Sequence, residues 1–168
     1  MIQTTAPVAP RHVTANSGRA VRVLGDRVTC KALAAETGGA YSLFETLTPP
    51  GAGCLPHSQR YDEETFYVLE GRYALLLGEQ IVELGPGDYA FVPRGTVHAF
   101  TNVGSEPARM LILVTPGGIH DTFFDEVGEH PDGASGEPDI SRLLAVAPKY
   151  GIEIAPPDGD CEAGWAGR

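Results

Sequence analysis

Between Ala20 and about residue 115 the chain is cut into short apolar runs by turn signals. "AVRVL" stops at Gly25-Asp26, "RVTCKALA" at "TGG" (37–39), and "AYSLFETLT" at "PPGAG" (49–53). "ETFYVLEG", "RYALLLG", "QIVEL", "YAFVP", "VHAFTNV" and "RMLILVTPGG" follow, separated by "GPGD", "RGT" and "GSEPA". A chain that turns this often has no room for crossover helices, so parallel βαβ units are excluded. The pattern predicts about ten short strands in an all-β sandwich or barrel, with no helix-length amphipathic stretch before residue 115.

Helix is expected only afterwards. Phe123, Phe124 and Val127 fall at helical spacing behind Asp121 as N-cap. Asp139 caps a second helix whose buried stripe is Ile140, Leu143, Leu144 and Ala147. Pro148 must bend or end that helix, and Gly151 is its stop signal. The expected organisation is one domain: an N-terminal arm over 1–18, a barrel over 19–118, helices packed on it over 119–155, and a loose tail over 156–168. The arm is either mobile or packed across a neighbouring subunit, and Trp165 either pins the tail or is exposed.

A formal net charge of −10 with no basic cluster would repel nucleic acid or an anionic membrane, so neither is an expected partner. Cys30, Cys54 and Cys161 are odd in number and lack C-x-x-C spacing, which reads as reduced thiols and a cytoplasmic location. No N-terminal signal pattern is visible, and no run approaches the roughly 18 apolar residues of a membrane span.

Two Gly-bounded stretches carry the chemistry. The first runs Gly51, five residues, His57, one residue, Gln59, four residues, Glu64, six residues, Gly71. The second, "GDYAFVPRGTVHAFTN", runs Gly87, five residues, Pro93, one, Gly95, two, His98, three, Asn102. Together they resemble the paired signature motifs of the cupin superfamily, with one departure: Gln59 stands where the first motif has its second histidine. Over residues 20–152 the chain is similar to small single-domain, quercetin-dioxygenase-like bacterial cupins. The resemblance implies a double-stranded β-helix barrel, a divalent metal inside it, and a homodimer.

The residues support such a site on physical grounds. On a strand, His57 and Gln59 share a face. Asp62 and Glu63 flank Glu64 in a charged turn, and the spacing selects Glu64. Two imidazoles and a carboxylate converging in a barrel lumen would form the facial triad of non-haem Fe(II) oxygenases. The expected metal ligands are therefore His57, Glu64, His98 and, through its amide oxygen, Gln59. That oxygen is a harder and weaker donor than imidazole, which favours Fe(II) or Mn(II) over Ni or Zn. Two other readings of Gln59 stay open: a hydrogen bond to substrate or metal-bound water, or a barrel that has lost its metal. Glu64 has a possible second role as base for a substrate hydroxyl.

By strand parity Phe66 and Phe100 belong beside Glu64 and His98, as walls of an apolar pocket for a small aromatic or polyketide-like substrate. Tyr67, Tyr73 and Phe91 are wall or core. His12 and His130 read as exposed loop histidines, His120 as a surface or helix-start histidine with lining of the barrel mouth as the alternative, and Cys54 as a filler pointing away from the lumen. Gly71, Gly87, Gly95, Pro93 and Asn102 are structural. The leading function is a metal-dependent dioxygenase acting on a flavonol-like compound, an activity taken from the resemblance. The rivals are a non-oxidative metal-dependent cyclase or isomerase and a non-catalytic small-molecule-binding module.

Overall fold

A computed structural model describes residues 8–15, 17–129 and 139–155; the expectations for His130, Cys161, Trp165 and the 156–168 tail lie outside them. The described residues form strands β1 (Ala20–Val23), β2 (Asp26–Ala32), β3 (Ser42–Thr48), β4 (His57–Gln59), β5 (Glu63–Glu70) and β6 (Tyr73–Leu77). Then come β7 (Gln80–Leu84), β8 (Tyr89–Val92), β9 (His98–Asn102), β10 (Ala108–Thr115) and β11 (Ile152–Ile154). Helices are α1 (Ala34–Thr37), α2 (Ile119–Val127) and α3 (Ile140–Val146), the last running into a 3₁₀ turn over Ala147–Tyr150.

Alternation builds the sheets. In β3, Ser42, Phe44, Thr46 and Thr48 are buried while Leu43, Glu45 and Leu47 are not. In β10, Ala108, Met110, Ile112 and Val114 are buried in the same way. One sheet has the order β1-β2-β3-β10-β5-β8 and the other β11-β4-β9-β6-β7. Every pairing within them is antiparallel. Their inner faces meet over Phe44, Phe66, Val68, Leu75, Met110 and Ile112, each fully buried side chain contributing roughly 1.5–3 kcal/mol. This is the all-β, double-stranded β-helix barrel that the resemblance implied. A second core lies over one end of it, where α2 and α3 set Phe123, Val127, Leu143 and Val146 against Ile152.

Several local expectations need correction. The β1–β2 turn is Leu24-Gly25, both at positive φ, and Asp26 is the first residue of β2 instead of a turn residue. The four-residue α1 is too short to show a period. Gly118, not Asp121, is the N-cap of α2; the Asp121 carboxylate accepts from Ala34 N–H at 2.8 Å and ties α2 to α1. Asp139 does cap α3, accepting from Arg142 N–H at 3.0 Å. The buried stripe there is Leu143, Val146 and Ala147, while Ile140 and Leu144 are exposed. The α-helix ends at Val146, before Pro148, and Gly151 follows in the left-handed region. β11 was not anticipated. Finally, Lys31 Nζ donates to the carbonyls of Ala15 (2.7 Å) and Ser17 (3.2 Å), so this part of the arm lies along its own β2.

Candidate metal centre

β4 and β9 bring His57 and His98 directly opposite one another in register, with ring centroids 4.3 Å apart. The Nδ1 of His57 lies 2.8 Å from the Leu55 carbonyl, and that of His98 2.9 Å from the Thr96 carbonyl. A carbonyl oxygen only accepts, so in each ring Nδ1 carries a hydrogen and donates it. Nε2 is then the atom each ring presents to the lumen. Glu64, near the start of β5, reaches across from the other sheet, its Oε2 2.7 Å from His98 Nε2. One ligand atom from each of His57, Glu64 and His98 lies within 4.8 Å of the others.

The electrostatics of the trio suit a cation. Burial, then the neighbouring His98, push the His57 pKa down to about 4, so its Nε2 keeps a free lone pair at neutral pH. Burial alone would raise Glu64, but the hydrogen bond and charge of His98, with His120 and His57 behind them, hold it at about 2. Burial would lower His98, and its bond to Glu64 outweighs this and raises it. A cation among these atoms would take the place of the proton that His98 and Glu64 share. Two imidazole nitrogens and a buried carboxylate with room for further donors fit a divalent transition metal, and the donor set does not single out one.

Gln59 lies on the same inward face, 2% exposed. Its Nε2 is 3.2 Å from Nε2 of His120, the second residue of α2. His120 is a helix-start histidine that lines the cavity, and not a surface one. It is buried, its Nδ1 is 2.9 Å from Asp62 Oδ2, and its Nε2 is 3.8 Å from Glu64 Oε1. The Asp62 carboxylate accepts the Nδ1 hydrogen. In a neutral ring Nε2 accepts from the Gln59 amide and leaves its carbonyl oxygen free for the site; in a charged ring Nε2 donates and the amide oxygen turns to it instead. Burial works against a charged His120, but the Asp62 bond and the Glu64 charge outweigh it and raise its pKa; a cation beside Glu64 would oppose that charge. Asp62 could have been found from sequence. It shares strand parity with Glu64 and is buried, whereas Glu63 points outward to Arg94 at 3.3 Å.

A cavity of about 80 Å³ opens beside these groups. His57, Glu64, His120 and Phe100 line one side, Asp26, Val28, Thr46 and Ile112 another, and Phe123, Phe124, Leu143 and Ile152 close it. Phe100 is thus a wall, as expected. Phe66 is not: it packs in the core, 6.1 Å from the His98 ring and 6.0 Å from Phe100 by centroid. Cys54 does line the cavity, against the parity argument, because the irregular segment before β4 breaks alternation. Its sulfur accepts from Phe100 N–H at 3.4 Å and burial raises its pKa, so it stays a thiol. His12 is exposed.

The family model of the cupin domain matches residues 44–114. Quercetin 2,3-dioxygenase of Bacillus subtilis (strain 168) is 31% identical over 119 residues, 70% of this chain and 35% of that protein. This chain therefore spans about a third of that relative's length. The tetracenomycin polyketide synthase protein TcmJ of Streptomyces glaucescens is 28% identical over 109 residues, 65% of this chain and 67% of that one. Among solved structures, the polyketide cyclase RemF from Streptomyces resistomycificus superposes with a TM-score of 0.56 at 26% identity, covering 64% of this chain and 80% of that one. The matched family span runs from β3 into β10 and carries His57, Glu64 and His98. On that footing the chain belongs to the cupin superfamily.

Proposed function

We infer that this chain is a metal-dependent enzyme acting on a small aromatic or polyketide-like molecule through an enol or phenol oxygen, with dioxygenase-type oxidation as the leading chemistry. The observation that carries this is the His57–Glu64–His98 trio, of which His57 and Glu64 line a largely apolar cavity. His57, Glu64 and His98, with the carbonyl oxygen of Gln59, would hold the metal, which when bound supplies Lewis acidity or a path for electrons to O₂. The residues around it do the rest. Asp62 and His120 hold the Gln59 amide in one orientation, Phe100 and Phe123 exclude water, and Glu64 keeps its negative charge toward the cluster.

The cavity is smaller than the roughly 150 Å³ in which an engineered apolar site binds benzene. An aromatic substrate must therefore displace part of the cap made by α2, α3 and β11. A second reading, non-oxidative cyclisation, is favoured by the likeness to the polyketide cyclase RemF over 80% of that chain.

Metal analysis of the purified protein, followed by turnover of phenolic and polyketide-like compounds with and without O₂, tests both. The inference expects one divalent ion per chain, and oxygen consumption with turnover under the leading reading. Anaerobic turnover would select cyclisation. A protein that takes up no Fe(II), Mn(II), Ni(II) or Zn(II) would leave only a binding module.

A further inference from the structure

The wall of the cavity across from the two histidines is not wholly apolar. β2 and β3 pair with Val28 opposite Thr46 and Arg27 opposite Leu47, and alternation turns Asp26, Val28, Thr46 and Thr48 inward together. Asp26 is 3% exposed and Thr46 1%. Both line the cavity. Asp26 Oδ1 and Thr46 Oγ1 have no hydrogen-bond partner, although buried polar atoms almost always have one.

The rest of the local network is satisfied. Tyr73 Oη donates to Thr48 Oγ1 at 3.1 Å, and the Thr48 hydroxyl hydrogen-bonds the Asp26 carboxyl. That leaves one Asp26 carboxyl oxygen and the Thr46 hydroxyl as diagonal neighbours across β2 and β3, Val28 standing opposite Thr46, with neither atom hydrogen-bonded although the Tyr73 hydroxyl lies near Thr46. Burial, offset only in part by Thr48, pushes the Asp26 pKa up to about 7. The carboxyl can therefore be present in neutral form, able to donate as well as accept. Leaving both atoms bare costs stability, which is compensated when a ligand oxygen enters.

We propose that Asp26 and Thr46 form a second, metal-independent subsite that binds a hydroxyl or keto oxygen on an otherwise apolar ligand. A ligand hydroxyl answers them by accepting from one and donating to the other, and a keto oxygen by accepting from the Thr46 hydroxyl and the neutral Asp26 carboxyl. Asp26, Val28 and Thr46 belong to the six-stranded sheet, which also carries Glu64, and His57 and His98 to the five-stranded one, so a ligand reaching from here to the two histidines spans the lumen between the sheets. In the proposed reaction this subsite holds the end of the substrate remote from the metal, and to that extent it rests on that reading.

Its test needs no metal, which separates the two. Chelator-treated protein is titrated with phenol and with benzene by calorimetry, in wild type, Asp26→Val and Thr46→Val. Wild type is expected to bind phenol about tenfold more tightly than benzene, one net hydrogen bond. Each variant should cut that ratio several-fold, and taking the ratio cancels changes in cavity size. Thr46→Val is nearly isosteric and decides the matter if Asp26→Val does not fold. A phenol preference equal in all three proteins would put the oxygen at the His57–His98 end and overturn the proposal. So would the absence of any preference, or of any binding, in wild type; the pair would then hold trapped water only.

Discussion

Gln59 and His120 form one unit, since the orientation of the amide follows from what the imidazole can accept. Removing a partner that orients a ligand typically costs 10–100-fold in metal affinity. His120→Ala is accordingly expected to weaken Mn(II) or Fe(II) binding by that order, measured by competition with a chromophoric chelator. Gln59→His should tighten binding and shift preference toward Ni and Zn; equal affinity in all three proteins would remove Gln59 from the site. Asp26 gives a separate prediction. Its folded pKa of about 7 lies above the ordinary 3.8, so between those values the folded chain holds a proton that the unfolded chain has released. Its contribution is full below about pH 3.8 and is lost as pH rises through about 7, at about 1.4 kcal/mol for each tenfold change in proton affinity. Asp26→Asn should remove that slope, so urea midpoints of the variant overtake wild type toward pH 8; parallel curves would refute it. The trio His57, Glu64 and His98 was legible because spacing along two segments encodes it. His120 and Asp26 were not, because they reach the lumen from outside those segments and their burial is a property of the assembled fold.

Among the elements, β4 depends most on its neighbours. It is three residues long, and pairs with β9 at one residue position and with β11 at three. The segment leading into it runs against β9: Cys54 N–H donates to the Phe100 carbonyl at 3.0 Å, and a Cβ on Gly53 would stand 1.9 Å from that oxygen. Gly53→Ala is therefore expected to push β9 away, lowering the thermal midpoint and the metal content together; loss of one without the other would uncouple segment and site. Long strands such as β5 and β10 announced themselves by alternation. β4, β11 and α1 did not, because three or four residues carry no period and only their partners make them regular.

At the scale of the molecule, β8 is an edge strand whose outer face joins that of β5. Tyr67 (43% exposed), Tyr89 (62%) and Phe91 (46%) stand there together, Tyr67 directly opposite Tyr89. Unpaired edges and exposed aromatic clusters are what a partner covers. A homodimer through this face is the expected state, and sedimentation velocity should show it strengthening with salt, which screens the net charge of −10. Tyr89→Glu with Phe91→Glu should give a folded monomer; a dimer undisturbed by both changes would place the interface elsewhere.

The pairing of β11 with β4 also sets a timetable. The strand that presents His57 and Gln59 takes most of its backbone partners from residues 152–154, and Ile152 helps close the cavity. During synthesis, every ligand is made before that segment. The nascent chain carries its donors early but cannot fix their spacing until its last described strand arrives. Metal capture is then a late event, and a chain stopped before residue 150 would keep each ligand yet lack the centre.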